Sequence, residues 1–296
     1  MAGIQRERFE DFNVLHREPS GEEDVTVHFA HATGFNAETY RSLADRLDPS
    51  LELYMMDARG HGKSEAPADP RKLRSWRPFG DDLERFVETL DQPVVLAGHS
   101  MGATVSMALA AARPELVQGL VLLDPVIMPP RRIPIAAVTR TLGVSDRLLP
   151  IAQMAARRRQ DFASKPEAVE NYLGKGAFRT WPRDWIEAYV DGGMVPTEAG
   201  TVRLSCDPAW ESKTFASATV SPYRLLRKVR CPITLIACGD REPPFTYESR
   251  DAFMRTKPDT RLLLLEDATH FIPMEHPDVV VEELERMAQL VRSKLG

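Results

Sequence analysis

The fold is decided by residues 94–103, which read VVLAGHSMGA. The stretch starts as an apolar, β-branched run typical of a buried strand and continues into small residues typical of a closely packed helix. Between the two lies the pattern G-x-S-x-G, centred on Ser100. On a sharp strand-to-helix turn this serine exposes its hydroxyl, while Gly98 and Gly102 let helix and strand approach closely. Ser100 is therefore a candidate nucleophile at a helix N-terminus, where the partial positive charge favours a bound anion.

On both sides of this motif, short apolar runs alternate with longer amphipathic stretches. This alternation indicates an α/β fold, with a mostly parallel sheet flanked by helices. The predicted strands cover residues 25–30, 51–56, 94–97, 119–123, 233–237 and 261–265. Helical spacing covers residues 38–47, 81–90, 102–112, 246–255 and 278–295. A pair of short strands is also predicted around residues 9–18.

The alternation stops after Asp124, in a segment rich in proline, and resumes near Cys231. The intervening stretch, about a hundred residues, is too long for a structureless loop in a compact domain. We therefore predict a core formed by residues 1–125 and 226–296, with residues 126–225 inserted as a mainly helical cap. The inserted segment holds Trp181, Trp185 and Trp210. These aromatic residues would either close an apolar pocket over Ser100 or simply pack the cap against the core.

Three further motifs accompany the serine pattern. They are HATGFN at residues 31–36, DARGHGKS at residues 57–64 and HFIPMEHP at residues 270–277. Together the motifs resemble those of the α/β-hydrolase family, over nearly the whole chain outside the cap. Two positions differ, because Thr33 stands where a histidine commonly precedes the glycine, and Thr269 replaces a glycine. The resemblance implies an α/β-hydrolase fold and a serine hydrolase similar to esterases and lipases.

The resemblance also implies roles for individual residues. The backbone N–H groups of Phe35 and Met101 would form the oxyanion hole, where each donor typically contributes about 3 kcal/mol. Replacing the usual histidine by Thr33 leaves these donors intact, because they are backbone groups. His270 follows the last strand and is the expected general base. Its neutral imidazole would take the proton of Ser100 and return it to the leaving group.

The acidic member of the triad has three candidates. Glu242 is the first choice, because it stands where the family usually has an aspartate, shortly after Gly239 and before a proline. Its longer side chain can still orient His270 and stabilise its charge. Asp124 is the second choice, because some family members carry the acid after the earlier strand. Asp240 is the third, and its structural interpretation is a turn former.

Composition and spacing disfavour several classes of partner. The formal charge is −5, so the basic excess expected of a nucleic-acid-binding surface is missing. The basic run Arg157–Arg159 is interpreted as a solvated helix face. His28 and His31 would point to opposite faces of a strand, which argues against a metal site. Neither a P-loop nor a dinucleotide fingerprint is complete, so no cofactor is expected.

The cysteine count and the N-terminus bear on location. An odd number of cysteines without C-x-x-C spacing is typical of reduced thiols in a cytoplasmic protein. The charged N-terminus lacks the apolar core of a signal peptide, and no apolar run has the length of a membrane span. A cytoplasmic protein without membrane partners is therefore predicted, and a homodimer stays open.

The leading hypothesis is a carboxylesterase-like hydrolase that takes small to medium apolar esters. A serine at position 100 disfavours epoxide and halide chemistry, which in this fold uses an aspartate nucleophile. The first alternative is hydrolysis of a carbon–carbon bond in a vinylogous diketone by the same triad. The second is a non-catalytic ligand receptor on a hydrolase scaffold.

Overall fold

The centre of the molecule is an eight-stranded sheet, seen in a computed structural model that describes residues 3–21, 25–141, 149–218, 222–239 and 245–295. The strands are, in chain order, β1 Gln5–Phe9, β2 Phe12–Arg17, β3 Thr26–Ala30, β4 Glu52–Met56, β5 Val94–His99, β6 Val117–Leu123, β7 Asp161–Phe162, β8 Met194–Pro196, β9 Val202–Leu204, β10 Ile233–Cys238 and β11 Arg261–Leu265. The order in the main sheet is β1-β2-β4-β3-β5-β6-β10-β11. The pairs β1–β2 and β2–β4 are antiparallel, and the remaining pairs are parallel.

Burial explains why the strand predictions were accurate. Every residue of β5 and β10 is buried, because helices cover both faces of the sheet. Each predicted parallel strand occurs, with ends within two residues of the prediction. The N-terminal pair lies slightly earlier in the chain than predicted, and β1 is a largely exposed edge strand. The predicted fold class, a mostly parallel sheet flanked by helices, is confirmed.

Helices cover both faces of the sheet and fill the segment between β6 and β10. They are α1 Arg41–Arg46, α2 Arg77–Val87, α3 Met101–Ala112, α4 Ile133–Thr141, α5 Pro150–Ala156, α6 Lys165–Tyr172, α7 Arg183–Gly193, α8 Pro208–Ala216, α9 Pro222–Leu226, α10 Tyr247–Thr256, α11 Ile272–Glu275 and α12 Pro277–Leu295. The predicted helix at residues 38–47 is a 3₁₀ turn, Ala37–Tyr40, followed by α1. Among the helices in the described ranges, none combines the length and apolar character needed to cross a membrane.

Residues 126–225, called the insertion below, leave the sheet after β6 and return before β10. The described part of the insertion contains α4 to α8, most of α9 and a three-stranded antiparallel sheet in the order β7-β9-β8. Helices were expected here, but the small sheet was not. Its strands are only two or three residues long, too short for alternation of apolar and polar residues to be recognised.

The connection between β5 and α3 lies at the carboxyl edge of the sheet. In open parallel sheets ligands bind at this edge, where loops from neighbouring strands meet. Ser100 follows β5 directly and Asp124 follows β6 directly, and these strands are neighbours. The topology therefore brings both residues to one place, and the insertion lies between β6 and β10 at the same edge.

Candidate active site

Ser100 occupies a strained turn between β5 and α3. Its backbone has φ 57° and ψ −113°, a conformation that costs a non-glycine residue on the order of 1–3 kcal/mol. A Cβ atom on Gly102 would lie 2.1 Å from the carbonyl oxygen of Ala30. A Cβ atom on Gly98 would lie 2.5 Å from the carbonyl carbon of Gly102. Both glycines of the motif are thus needed for the close packing of helix against strand.

A hydrogen-bonded series joins Ser100, His270 and Asp124. The Nε2 atom of His270 lies 3.0 Å from Ser100 Oγ, and its Nδ1 atom lies 2.6 Å from Asp124 Oδ2. The Asp124 side chain is fully buried, and its Oδ1 atom accepts a bond of 3.4 Å from the backbone N–H of Cys238. When His270 carries its proton on Nδ1, Nε2 is free to accept the proton of the serine hydroxyl.

The carboxylate that meets His270 belongs to Asp124, the second choice of the sequence analysis. The first choice, Glu242, and the third, Asp240, lie outside the described residues. Asp124 reaches the imidazole because β6 is the direct neighbour of β5, and the residue after β6 points into the same edge. Backbone bonds fix both turns, from Ser100 N–H to Leu123 and from Asp124 N–H to Ile236.

His99, which precedes Ser100 in the chain, takes part in a buried hydrogen-bonded chain. The backbone N–H of Ala32 donates to Tyr40 Oη at 3.2 Å, and Tyr40 O–H lies 2.8 Å from His99 Nδ1. The Nε2 atom of His99 lies 2.8 Å from the carbonyl oxygen of His270. Burial lowers the pKa of His99 well below its ordinary value, so the ring is neutral and donates from Nε2. The chain thereby links the loop at residues 31–36 to the backbone of His270.

The two predicted oxyanion donors have different surroundings. Met101 is the first residue of α3, where backbone N–H groups lack partners within the helix. The N–H of Phe35 instead donates to the carbonyl oxygen of Ala32 at 3.1 Å, which closes the turn at residues 32–35. The same carbonyl oxygen accepts a bond of 2.7 Å from His31 Nδ1. A developing oxyanion would have to share or replace the bond of Phe35.

The motif at residues 57–64 supports the site rather than entering it. Asp57 Oδ1 accepts the N–H of Ala37 at 2.7 Å, and Oδ2 accepts the N–H of Lys63 and the side-chain amide of Asn13, both at 2.8 Å. Ser64 Oγ donates to the Asp57 carbonyl oxygen at 2.6 Å. The buried carboxylate of Asp57 thus binds the start of the 3₁₀ turn, strand β2 and its own loop.

A cavity of about 970 Å³ opens onto Ser100 and His270. Most of its lining residues are apolar and come from the insertion, including Ile135, Ile151 and Phe178. Several of these side chains are exposed, such as Ile135 at 68% and Met154 at 71%. The cavity is therefore large enough for a sizeable apolar group. Residues at the carboxyl edge of the sheet would not enclose such a group without the insertion.

The interpretation of Arg157–Arg159 as a solvated helix face is wrong for Arg158. The run follows α5, and the side chain of Arg158 is only 20% exposed. Its Nη1 atom donates to both carboxylate oxygens of Glu211, at 2.9 and 2.8 Å. Burial raises the pKa of Glu211, although Arg158 opposes this shift. No sequence pattern indicates the contact between Arg158 and Glu211, because the two residues are far apart in the chain and Arg158 lies in a basic run.

Similarity to known proteins extends over most of the chain. The family model described as the alpha/beta hydrolase family matches residues 29–283. The 2-(acetamidomethylene)succinate hydrolase of Mesorhizobium japonicum is 24% identical over 259 residues, which are 86% of this chain and 85% of that protein. Monoglyceride lipase of Mus musculus is 31% identical over 116 residues, only 37% of this chain and 38% of the lipase. The match to the lipase thus has the higher identity, and the match to the Mesorhizobium hydrolase has the greater length.

Solved structures show the same architecture. The crystal structure of E-2-(acetamidomethylene)succinate hydrolase has a TM-score of 0.75 at 20% identity, with 98% of this chain and 100% of that chain covered. The thioesterase domain from the curacin biosynthetic pathway has a TM-score of 0.74 at 18% identity, with 96% and 99% covered. At such identities the shared feature is the fold. With the family model spanning most of its length, this chain belongs to the alpha/beta hydrolase family.

Proposed function

We propose that the protein is a serine hydrolase that cleaves a carboxylic ester through an acyl-enzyme at Ser100. The observation that carries the proposal is the series from Ser100 Oγ through His270 to the buried carboxylate of Asp124, with contacts of 3.0 and 2.6 Å. A nucleophile, a base and a third group that orients the base meet the geometric requirement for an activated serine. Lipases among the partial relatives act on esters and support this bond type.

In the proposed reaction, Ser100 Oγ attacks the ester carbonyl carbon while His270 Nε2 takes the hydroxyl proton. The N–H groups of Met101 and Phe35 stabilise the oxyanion of the tetrahedral intermediate. When the intermediate collapses, the bond to the alkoxy group breaks, and His270 returns the proton to that group. Water then attacks the acyl carbon while His270 takes one of its protons, the bond to Ser100 Oγ breaks, and His270 returns that proton to the serine as the acid leaves. Asp124 stabilises the imidazolium that forms in each half of the reaction.

We also propose that residues 126–225 serve as a cap over the site, with residues 1–125 and 226–296 as the core. The cap supplies most of the cavity lining and therefore determines which acyl groups fit. A second substrate class is favoured by the length of the match to the Mesorhizobium hydrolase, whose name contains an acetamido group. An acyl group on nitrogen is therefore the second candidate for the cleaved bond.

Labelling with a fluorophosphonate probe tests the proposal. Intact-mass detection should show one adduct on the purified protein and none on Ser100→Ala. Ser106→Ala is the matched control, because Ser106 is a buried serine of α3 whose Oγ donates to a backbone carbonyl. This control should still form the adduct. An unlabelled protein with native circular dichroism would contradict the proposal and favour a ligand receptor.

A substrate panel then separates the bond types. Esters, N-acyl compounds and a vinylogous diketone of similar size should be compared at equal concentration. Ester turnover that is lost in Ser100→Ala would support the main proposal. Turnover restricted to the diketone would replace it by carbon–carbon bond hydrolysis.

A further inference from the structure

One wall of the cavity groups polar residues of the insertion, although most of the lining is apolar. This wall, called the polar corner below, consists of Arg158, Asn171, Tyr172, Lys175 and Glu211. Arg158 contacts both Glu211 and Tyr172, and Asn171 precedes Tyr172 in α6. The turn after α6 is closed by a bond from the N–H of Lys175 to the carbonyl oxygen of Tyr172. Few, convergent polar groups in an otherwise apolar pocket usually fix the orientation of a ligand.

The guanidinium of Arg158 makes short contacts with Glu211 and Tyr189 and one long contact with Tyr172. Its Nη1 atom donates to both oxygens of Glu211, and its Nη2 atom donates to Tyr189 Oη at 2.6 Å. Tyr189 is not among the residues that line the cavity. The remaining contact of Nη2, to Oη of the cavity-lining residue Tyr172, is 3.5 Å long and therefore weak. A ligand oxygen at this position would gain a shorter, charge-assisted bond.

The charge of the cavity lining also points to an anion. Glu211 is the one acidic side chain among the cavity-lining residues that the structure describes. Arg132, Arg158 and Lys175 are basic. This excess of positive charge lies within a chain whose formal net charge is −5. Among the described lining residues, the net charge is therefore opposite in sign to that of the whole chain, which favours anionic ligands.

The burial of the Arg158–Glu211 pair is not by itself evidence that the pair stabilises the fold. A buried ion pair is weak evidence for stability, because the loss of hydration offsets most of the attraction between the charges. On the wall of a substrate cavity, an oriented guanidinium has a direct use in binding a planar anion. From these observations we propose that the polar corner binds a carboxylate on the acyl group of the substrate, with Arg158 and Lys175 as specificity-determining residues. This inference rests on the proposed ester hydrolysis at Ser100.

Two esters of equal chain length test the inference. Mono-p-nitrophenyl adipate carries a free carboxylate, and p-nitrophenyl hexanoate ends in a methyl group. The readout is the ratio of kcat/KM for adipate to that for hexanoate. The native protein should give a ratio well above one. A charge-assisted hydrogen bond corresponds to a factor on the order of 10 to 100, so Lys175→Met should lower the ratio by about that factor.

Arg158 should be substituted together with Glu211, because Arg158→Met alone would leave the Glu211 carboxylate buried without its cation. Arg158→Met/Glu211→Gln removes both charges and should also lower the ratio. Arg157→Met is the matched control, because Arg157 is exposed, adjacent in sequence and not part of the cavity lining. This control should leave the ratio unchanged.

The outcomes separate this inference from the proposed function. Equal turnover of the two esters by the native protein, or an undiminished ratio in both Lys175→Met and the double variant, would overturn the carboxylate site. Ester hydrolysis and fluorophosphonate labelling would then still stand. Loss of both esters as substrates, together with absence of labelling, would overturn the proposed function and the carboxylate site with it.

Discussion

Asp124 shows how a single position depends on both topology and local conformation. Its φ of 39° lies in the left-handed region, which is uncommon for a residue with a side chain. The conformation directs the carboxylate towards His270 rather than along the continuing strand. Asp124 ranked second to Glu242 because Glu242 stands where the family usually has its acid, and nothing in residues 120–124 indicates this turn. Only the contact across 146 positions of the chain, between Asp124 and His270, reveals it.

Substitution of the candidate acids tests this arrangement. Asp124→Asn keeps the shape of the side chain but removes its charge and favours the wrong tautomer of His270, so kcat should fall by about 10⁴-fold. Glu242→Gln should reduce kcat far less, because the Nδ1 atom of His270 is bonded to Asp124. Steady-state kinetics with an activated ester, with folding checked by circular dichroism, gives both numbers. A large loss in Glu242→Gln and a small one in Asp124→Asn would reverse the assignment.

Among the site residues, those within local motifs could be predicted and those outside them could not. Ser100, Met101 and His270 lie where their motifs placed them, because each motif encodes its own turn. Tyr40 and Arg158 carry no such signature. Their importance comes from contacts with residues distant in sequence, with His99 for Tyr40 and with Glu211 for Arg158.

At the scale of elements, burial on both faces made the parallel strands easy to locate, since each is a short, continuous apolar run bounded by turn residues. The ends of the helices were harder to predict. The helix predicted at residues 81–90 is α2, which begins at Arg77 with a proline in its first turn and ends at Val87. Proline is compatible with that position because its missing N–H would have no partner there. The apolar spacing alone does not mark this start.

The packing of α3 against β3 gives a prediction at this scale. Gly102→Ala would place a methyl group 2.1 Å from the Ala30 carbonyl oxygen, so backbone must shift. We expect destabilisation by roughly 1–3 kcal/mol, as for overpacking in a filled core. Gly80→Ala is the matched control within α2, where an added Cβ has nothing within 4 Å. Chemical denaturation should show that the control is stabilised by about 0.5–1 kcal/mol. Equal effects at both glycines would contradict the close approach.

At the scale of the whole molecule, an aromatic cluster joins the insertion to the rest of the chain. The ring of Phe35 lies 5.1 Å from that of Trp181 and 5.8 Å from that of Tyr189, both edge-to-face. Trp181 also contacts Phe271, beside the candidate base, at 5.6 Å. The amide of Asn36 donates to the Tyr189 carbonyl oxygen at 3.0 Å. One hydrophobic cluster therefore contains residues of the sheet, of the loop at residues 31–36 and of the insertion.

Such a shared cluster predicts that the insertion and the sheet unfold together. Three of the four tryptophans lie in the insertion, and Trp76 donates from Nε1 to the Thr214 carbonyl oxygen there. Tryptophan emission therefore reports on the insertion, whereas far-ultraviolet circular dichroism reports on all helices and strands. In urea the two signals should show coincident midpoints. Emission that changes at a lower urea concentration would mean that the insertion unfolds independently.

Phe35→Ala gives a stricter test of joint unfolding, because the ring of Phe35 packs against Trp181 and Tyr189 of the insertion. Truncation of a buried phenylalanine costs about 3–5 kcal/mol, and the loss should lower both midpoints equally. If the insertion were a separate unit, the variant would move the emission midpoint and leave the main circular-dichroism transition in place. Coincident shifts would instead mean that the shape of the substrate cavity is maintained by the stability of the whole molecule. Destabilising changes far from Ser100 would then reduce activity through the fraction of folded protein rather than through the cavity alone.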